Sequence, residues 1–301
     1  MSVQSACAEA NATPIEALFR PFHSGALSLQ SRIAMAPMSR YLCPEGRPHA
    51  AVARYYARRA EHGVGLIITE GTYIGHPSAA SYDGVPYFAG DALAGWRNVR
   101  AAVHAAGGRI FPQLWHTGSF RRRGMAPDPA TPGFSPSAIV NSASGSDEPA
   151  HAMSDRDIAD IIASYADAAA AAQELGFDGV EIHAAHGYLI DEFFWATSNR
   201  RSDRYNGDVG ERTRFAVEII EAVRRRVGAE FPISLRFSQW KQQDYTAKLA
   251  ETPPMVGSVN TEMNGRRSLA NWVSAAVVLV ICMSDIRPSC MRAPPLAVKQ
   301  T

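Results

Sequence analysis

Residues 177–194 read FDGVEIHAAHGYLIDEFF. The stretch opens as a short apolar run of the kind a buried parallel strand leaves. It then turns polar at once, with His183 at the strand's end, His186 three residues on and Tyr188 two beyond that. Gly187 allows the backbone to turn there without steric cost. In α/β barrels, chemistry gathers at the C-terminal ends of the strands. Two imidazoles placed there can hold an electron-rich oxygen, and a phenol beside them can give a proton while remaining neutral at ordinary pH. The structural alternative is a pair of satisfied core histidines and a packing tyrosine.

Working outward, four more strand-like runs appear: Ile33–Met38 (IAMAPM), Val64–Thr69 (VGLIIT), Arg109–Trp115 (RIFPQLW) and Pro232–Phe237 (PISLRF). Helical spacing of apolar residues marks Ala50–His62, Asp91–Ala106 and Arg212–Val227. A long amphipathic helix runs from Ile158 to Leu175, opened by a Ser154–Asp157 capping-box pattern and stopped by Gly176. Strands alternating with helices predict a parallel sheet with helical crossovers. No GxGxxG follows the first strand, so a dinucleotide-binding fold is disfavoured and a TIM-type (β/α)8 barrel is expected. A Pro-, Ser-, Gly- and Arg-rich segment between Thr117 and Met153 is too long for a plain connector and is expected to cover a site.

Composition narrows the field. The chain has 301 residues, 46% hydrophobic and 20% charged, with a net charge of +1. These values describe an ordinary globular protein and give no electrostatic case for nucleic acid or an anionic membrane. The run Arg121–Arg123 is expected to be a solvated loop or a phosphate contact. Cys7, Cys43, Cys282 and Cys290 form no CxxC pair, so no zinc, iron–sulfur or disulfide framework is expected. The first residues have neither the basic start nor the apolar core of a signal peptide. The longest apolar run, Trp272–Met283, falls short of the roughly 20 residues that cross a bilayer. A cytoplasmic location follows as the expectation.

The remaining strand ends bring Pro37, Met38 and Ser39, then Glu70 and Gly71, then Gln113, Trp115 and His116, then Arg236 and Ser238. Each has a plain alternative: Gln113 as a satisfied amide, Arg236 as half of a structural ion pair, Glu70–Gly71 as a turn. Together they describe one mouth. It lacks the paired carboxylates of glycoside hydrolysis, a nucleophile elbow, and a lysine for a Schiff base. Donors without a nucleophile point to a bound cofactor that carries the chemistry. Gln113 suits the edge of a planar heterocycle with alternating donors and acceptors. Arg236 suits a ring that gains negative charge on reduction.

At this point the chain resembles the old yellow enzyme family of FMN-dependent ene-reductases. The resemblance rests on LFRPF at 18–22, RIAMAPMSRY at 32–41, GLIITEGTYI at 65–74, FPQLWHTG at 111–118 and GVEIHAAHGYLIDEFF at 179–194. SNRRSDRYNG at 198–207 and SLRFSQWKQQDYTA at 234–247 complete it. It implies an eight-stranded barrel with FMN over its mouth. Pro37, Met38 and Ser39 would line the flavin, with Ser39 where relatives often carry Thr and other branches Cys. Gly71 would offer its backbone, Gln113 would hold the pyrimidine edge and Arg236 would face the N1 side. His183 and His186 would bind the oxygen of a small enone or nitro substrate, and Tyr188 would be the proton donor. Some relatives carry Asn where His186 stands. NADH or NADPH would be the reductant.

The resemblance stops near Pro253. Residues 1–17 read as a leader, 18–253 as the FMN-binding barrel region with about five βα units, and 254–301 as a divergent tail. That tail lacks the family's phosphate-binding segment, and its one strand- or helix-like run is Val273–Met283. The barrel is therefore expected to be incomplete, and an inactive fragment, at most an interaction protein, is the alternative outcome. A metal enzyme built on His116, His183 and His186 is the third reading.

Overall fold

The buried apolar runs pair side by side into one parallel sheet. The computed structural model describes residues 14–141, 144, 146–238 and 279–283. After a short helix, α1 (Pro14–Leu18), strands β1 (Phe22–Ser24) and β2 (Leu27–Leu29) form an antiparallel hairpin. Strand β3 (Ala34–Met35) leads through a 3₁₀ turn to α2 (Ala50–Glu61) and β4 (Leu66–Tyr73). Helix α3 (Ala92–Ala105) precedes β5 (Arg109–Trp115). The segment expected to be a long loop carries two short paired strands, β6 (Phe134–Ser135) and β7 (His151–Ala152). Then come α4 (Asp155–Glu174), β8 (Val180–Ala184), the short α5 (Leu189–Phe194) and α6 (Val209–Arg212), α7 (Arg214–Val227), β9 (Ile233–Ser238) and β10 (Leu279–Met283).

The main sheet runs β10-β9-β8-β5-β4-β3, and every pairing is parallel. This is the strand order of a (β/α)8-type barrel, six strands of which lie among the described residues. The tail supplies one of them. β10 pairs along β9 from Leu279 opposite Ser234 to Met283 opposite Ser238. The rest of the tail, and with it the expectation that it lacks a phosphate-binding segment, falls outside the described residues. The core lies between the sheet and its helices, where Trp96, Val99 and Val103 of α3, Ile161 and Tyr165 of α4, and Phe215 and Ile219 of α7 are fully buried. Among the described residues no helix is long and apolar enough to cross a membrane.

Most element boundaries match the sequence reading, and the Ser154–Asp157 capping box forms as expected. Four differences have physical causes. The expected first strand 33–38 shrinks to two paired residues, because Pro37 has no N–H to give a neighbour. The strand expected to stop at Thr69 continues to Tyr73 across a register shift between Ile68 and Gly71. Helix α5 escaped detection because all six of its residues are buried, which erases the amphipathic period. Arg121 is neither solvated nor a phosphate contact. Its guanidinium is buried and donates to the carbonyls of Ala80, Met125, Ala126, Asp128 and Thr131, folding the loop around itself.

Candidate active site

The register shift in β4 shapes the site. Thr69 Oγ1 accepts the Gln113 N–H at 3.1 Å, and the Tyr56 hydroxyl accepts the Glu70 N–H at 2.8 Å. These bonds hold a bulge, a device that re-aims side chains next to functional sites. Beyond it, Gly71 pairs with Gln113. A Cβ on Gly71 would lie 2.4 Å from the Trp115 ring, so only glycine lets the indole pack there. Glu70 is more than a turn residue. Its buried carboxylate takes the backbone N–H of Arg40 at 3.2 Å and the Arg40 guanidinium, which also lies 4.0 Å over the Tyr55 ring. This clamp fixes the segment that carries Pro37, Met38 and Ser39.

The opposite wall comes from the turn after β8. His186 and Gly187 both adopt left-handed φ, 65° and 77°. For His186 that conformation costs about 1–2 kcal/mol. Three side chains hold the turn in place. Ser238 Oγ accepts the His186 N–H at 3.2 Å, Asp191 Oδ2 accepts the Gly187 N–H at 2.7 Å, and Asn141 Nδ2 donates to the Gly187 carbonyl at 3.2 Å. The strain turns the His186 ring edge-on to His183, with centroids 5.1 Å apart. Tyr188 packs edge-on against Trp115 at 4.7 Å and against His183 at 5.3 Å.

Pro37, Met38, Ser39, Gly71, Gln113, Trp115, His183, His186 and Tyr188 line one cavity of about 190 Å³. Arg236 is not on its surface. It stands beside His183 in register and is bonded to Glu181. Enclosed ligand pockets usually start near 300 Å³. The described residues therefore form one wall of a site rather than a closed pocket.

Protonation follows from burial. His183 is buried, which pushes its pKa well below the usual imidazole value, and the charges of His186 and Arg236 push the same way. His186 is lowered to about 4, by burial and then by Arg236. Both rings are therefore neutral at ordinary pH. His183 Nδ1 accepts the Ala185 N–H at 3.3 Å, so its own proton sits on Nε2. Burial raises the Tyr188 pKa, and its side chain is hydrogen-bonded to Tyr82. The phenol keeps its proton.

His116 does not join the histidine pair. Its Nδ1 accepts the Gly118 N–H at 3.0 Å and its Nε2 meets Ser78 Oγ at 2.8 Å. Among the described residues no three His, Cys, Asp or Glu are arranged to hold a metal ion. The structure gives the metal reading no support. Two residues missed in the sequence support the site. Glu181 left a trace, a lone carboxylate inside the apolar run FDGVEI. Asp191 left none, because its role depends on a turn folding back.

Gln113 supplies an amide, and Trp115 Nε1 is a buried N–H with no partner among the described residues. The parallel sheet places the histidine pair, Gln113 and Tyr188 at the C-terminal ends of its strands, where α/β barrels carry their sites. The model of the NADH:flavin oxidoreductase / NADH oxidase family matches residues 17–282, and the chain belongs to that family. It is 38% identical to the flavin oxidoreductase hxnT of Emericella nidulans, over 76% of this chain and 61% of that protein. It is 36% identical to 12-oxophytodienoate reductase 7 of Oryza sativa subsp. japonica, over 71% and 56%. Among solved structures, morphinone reductase superposes with a TM-score of 0.66 at 37% identity, covering 74% of this chain and 62% of that one. Old Yellow Enzyme from Pichia sp. AKU4542 gives 0.68 at 31%, covering 74% and 60%. The chain thus spans about three fifths of the length of these relatives.

Proposed function

We propose that this chain carries the catalytic wall of an FMN-dependent reductase that uses NADH or NADPH to reduce the C=C bond of a small α,β-unsaturated carbonyl or nitro compound. One observation carries the reading: Gln113, the neutral histidine pair and a protonated phenol face a single cavity. Family membership supports it.

When bound, FMN would supply the hydride. Gln113, Gly71 and Trp115 would hold its ring, with Arg236 behind. The protein's own groups do the rest. The Nε2–H of His183, with His186 beside it, would hold the substrate oxygen and stabilise the negative charge that grows there as the alkene accepts hydride. Both rings would act as neutral hydrogen-bond groups, already aimed at the oxygen before charge develops. The Tyr188 O–H would then protonate the α-carbon. Its raised pKa prevents ionisation before the carbanionic carbon appears.

The test is direct. Purified protein mixed with FMN should elute from gel filtration yellow, and NAD(P)H should bleach it until an enone restores the colour. Colourless protein would sink this reading and favour the alternative, a family member that keeps the wall without holding the cofactor.

A further inference from the structure

We propose that Glu181 is the positioning residue of the cofactor wall. Its carboxylate fixes which edge Gln113 shows to a bound ring and offsets the charge that Arg236 brings to it. The inference rests on the FMN reading above.

Glu181 is the second residue of β8 and is fully buried. In register it faces Gln113 on β5 and Ser234 on β9. Every donor around it converges on its two oxygens. Gln113 Nε2 lies 2.8 Å and Arg236 Nε 2.7 Å from Oε1, while Ser234 Oγ lies 3.0 Å and Arg236 Nη2 3.4 Å from Oε2. Nothing in the apolar pattern of a strand calls for a carboxylate here, and burying one is costly unless it organises its partners.

Two consequences follow. A side-chain amide can normally flip, exchanging its oxygen and nitrogen. A carboxylate only accepts, so Gln113 must turn its NH₂ toward Glu181. The carbonyl oxygen and the second N–H remain for the cavity, in one fixed order. A ring edge with an N–H beside a C=O matches that order, whereas a flipped amide would oppose donor to donor. The second consequence is electrostatic. The Arg236 guanidinium is held against a carboxylate out of water, where screening is weak. The wall therefore offers donors to the ring without a net positive charge.

The experiment compares wild-type protein with Glu181→Gln, Glu181→Asp and the double variant E181Q/R236Q. It measures affinity for FMN and for N3-methyl-FMN, and the midpoint potential of bound FMN. The double variant removes both charges, which avoids leaving Arg236 unpaired if the single variant fails to fold. Glu181→Gln should weaken FMN by about tenfold or more, since a buried hydrogen-bond network loses a partner. It should also shrink the preference for FMN over the methylated analogue and move the potential upward. The double variant should lose the preference without the upward shift, and Glu181→Asp should recover the preference. Folded variants that differ only in stability, with preference and potential unchanged, would overturn the inference alone. Wild-type protein that does not bind FMN would overturn the functional reading and this inference with it.

Discussion

The central sheet meets two different neighbours at its two ends. Where β4 and β5 begin, the β1–β2 hairpin lays Leu27 and Leu29 on Leu66, Ile68 and Phe111 in a small apolar cluster. Toward the other end of the sheet, Gln113 of β5, Glu181 and His183 of β8 and Arg236 of β9 are all buried, and His186 sits in a strained turn. The first end is stabilised by removing apolar surface from water. The second gives some of that gain up, because buried polar groups and a left-handed histidine must be held by other groups. The price is visible in the number of side chains devoted to holding: Asp191, Asn141 and Ser238 for one turn, Glu70 and Arg40 for the next. A sheet stabilised at one end can tolerate frustration at the other.

The comparison can be broken at the apolar end first. Phe111→Ala should cost about 3–5 kcal/mol of stability, because the ring also fills the space beside Gly179, where a Cβ would meet it at 2.5 Å. Urea unfolding reads the loss, and FMN affinity in the folded protein should stay near wild type. Affinity falling in proportion would mean that the ends are not separable.

At the polar end, Tyr188→Phe should leave the fold intact and slow alkene reduction by about 10²–10⁴, the usual contribution of a positioned general acid. Reduction of FMN by NAD(P)H should change little. Stopped-flow traces of both half-reactions decide this, and equal losses would remove Tyr188 from its role.

The smallest effect is the sharpest test of electrostatics. Both histidines have folded pKa values below their ordinary one, His186 at about 4, so both rings stay neutral as pH falls through about 6.5. Binding of an uncharged substrate analogue should therefore hold within about twofold from pH 8 down to about pH 6. A titration step centred near 6.5 would show that the rings are solvated and the wall is wetter than described.

How far the sequence speaks differs along the chain. The parallel alternation was legible because runs such as VGLIIT and RIFPQLW are continuous, and strands buried on both faces leave that mark. The strand-end residues were legible too, because the end of a run is a position in sequence as well as in space. His183, His186, Tyr188, Gln113 and Gly71 were all found this way and share a cavity. The β1–β2 hairpin was not, since its strands are three residues each and too short for a period to register.

The sequence alone determined the alternation of strands and helices, the polar residues at the mouth and the family they resemble. These are local patterns, set by periodicity and by residue type. Only the tertiary structure decided that Glu181 joins Gln113 to Arg236, that Arg121 is a buried loop organiser, and that His116 turns away toward Ser78. Each depends on partners dozens of residues apart, brought together by sheet register and loop closure, and no local pattern encodes that distance.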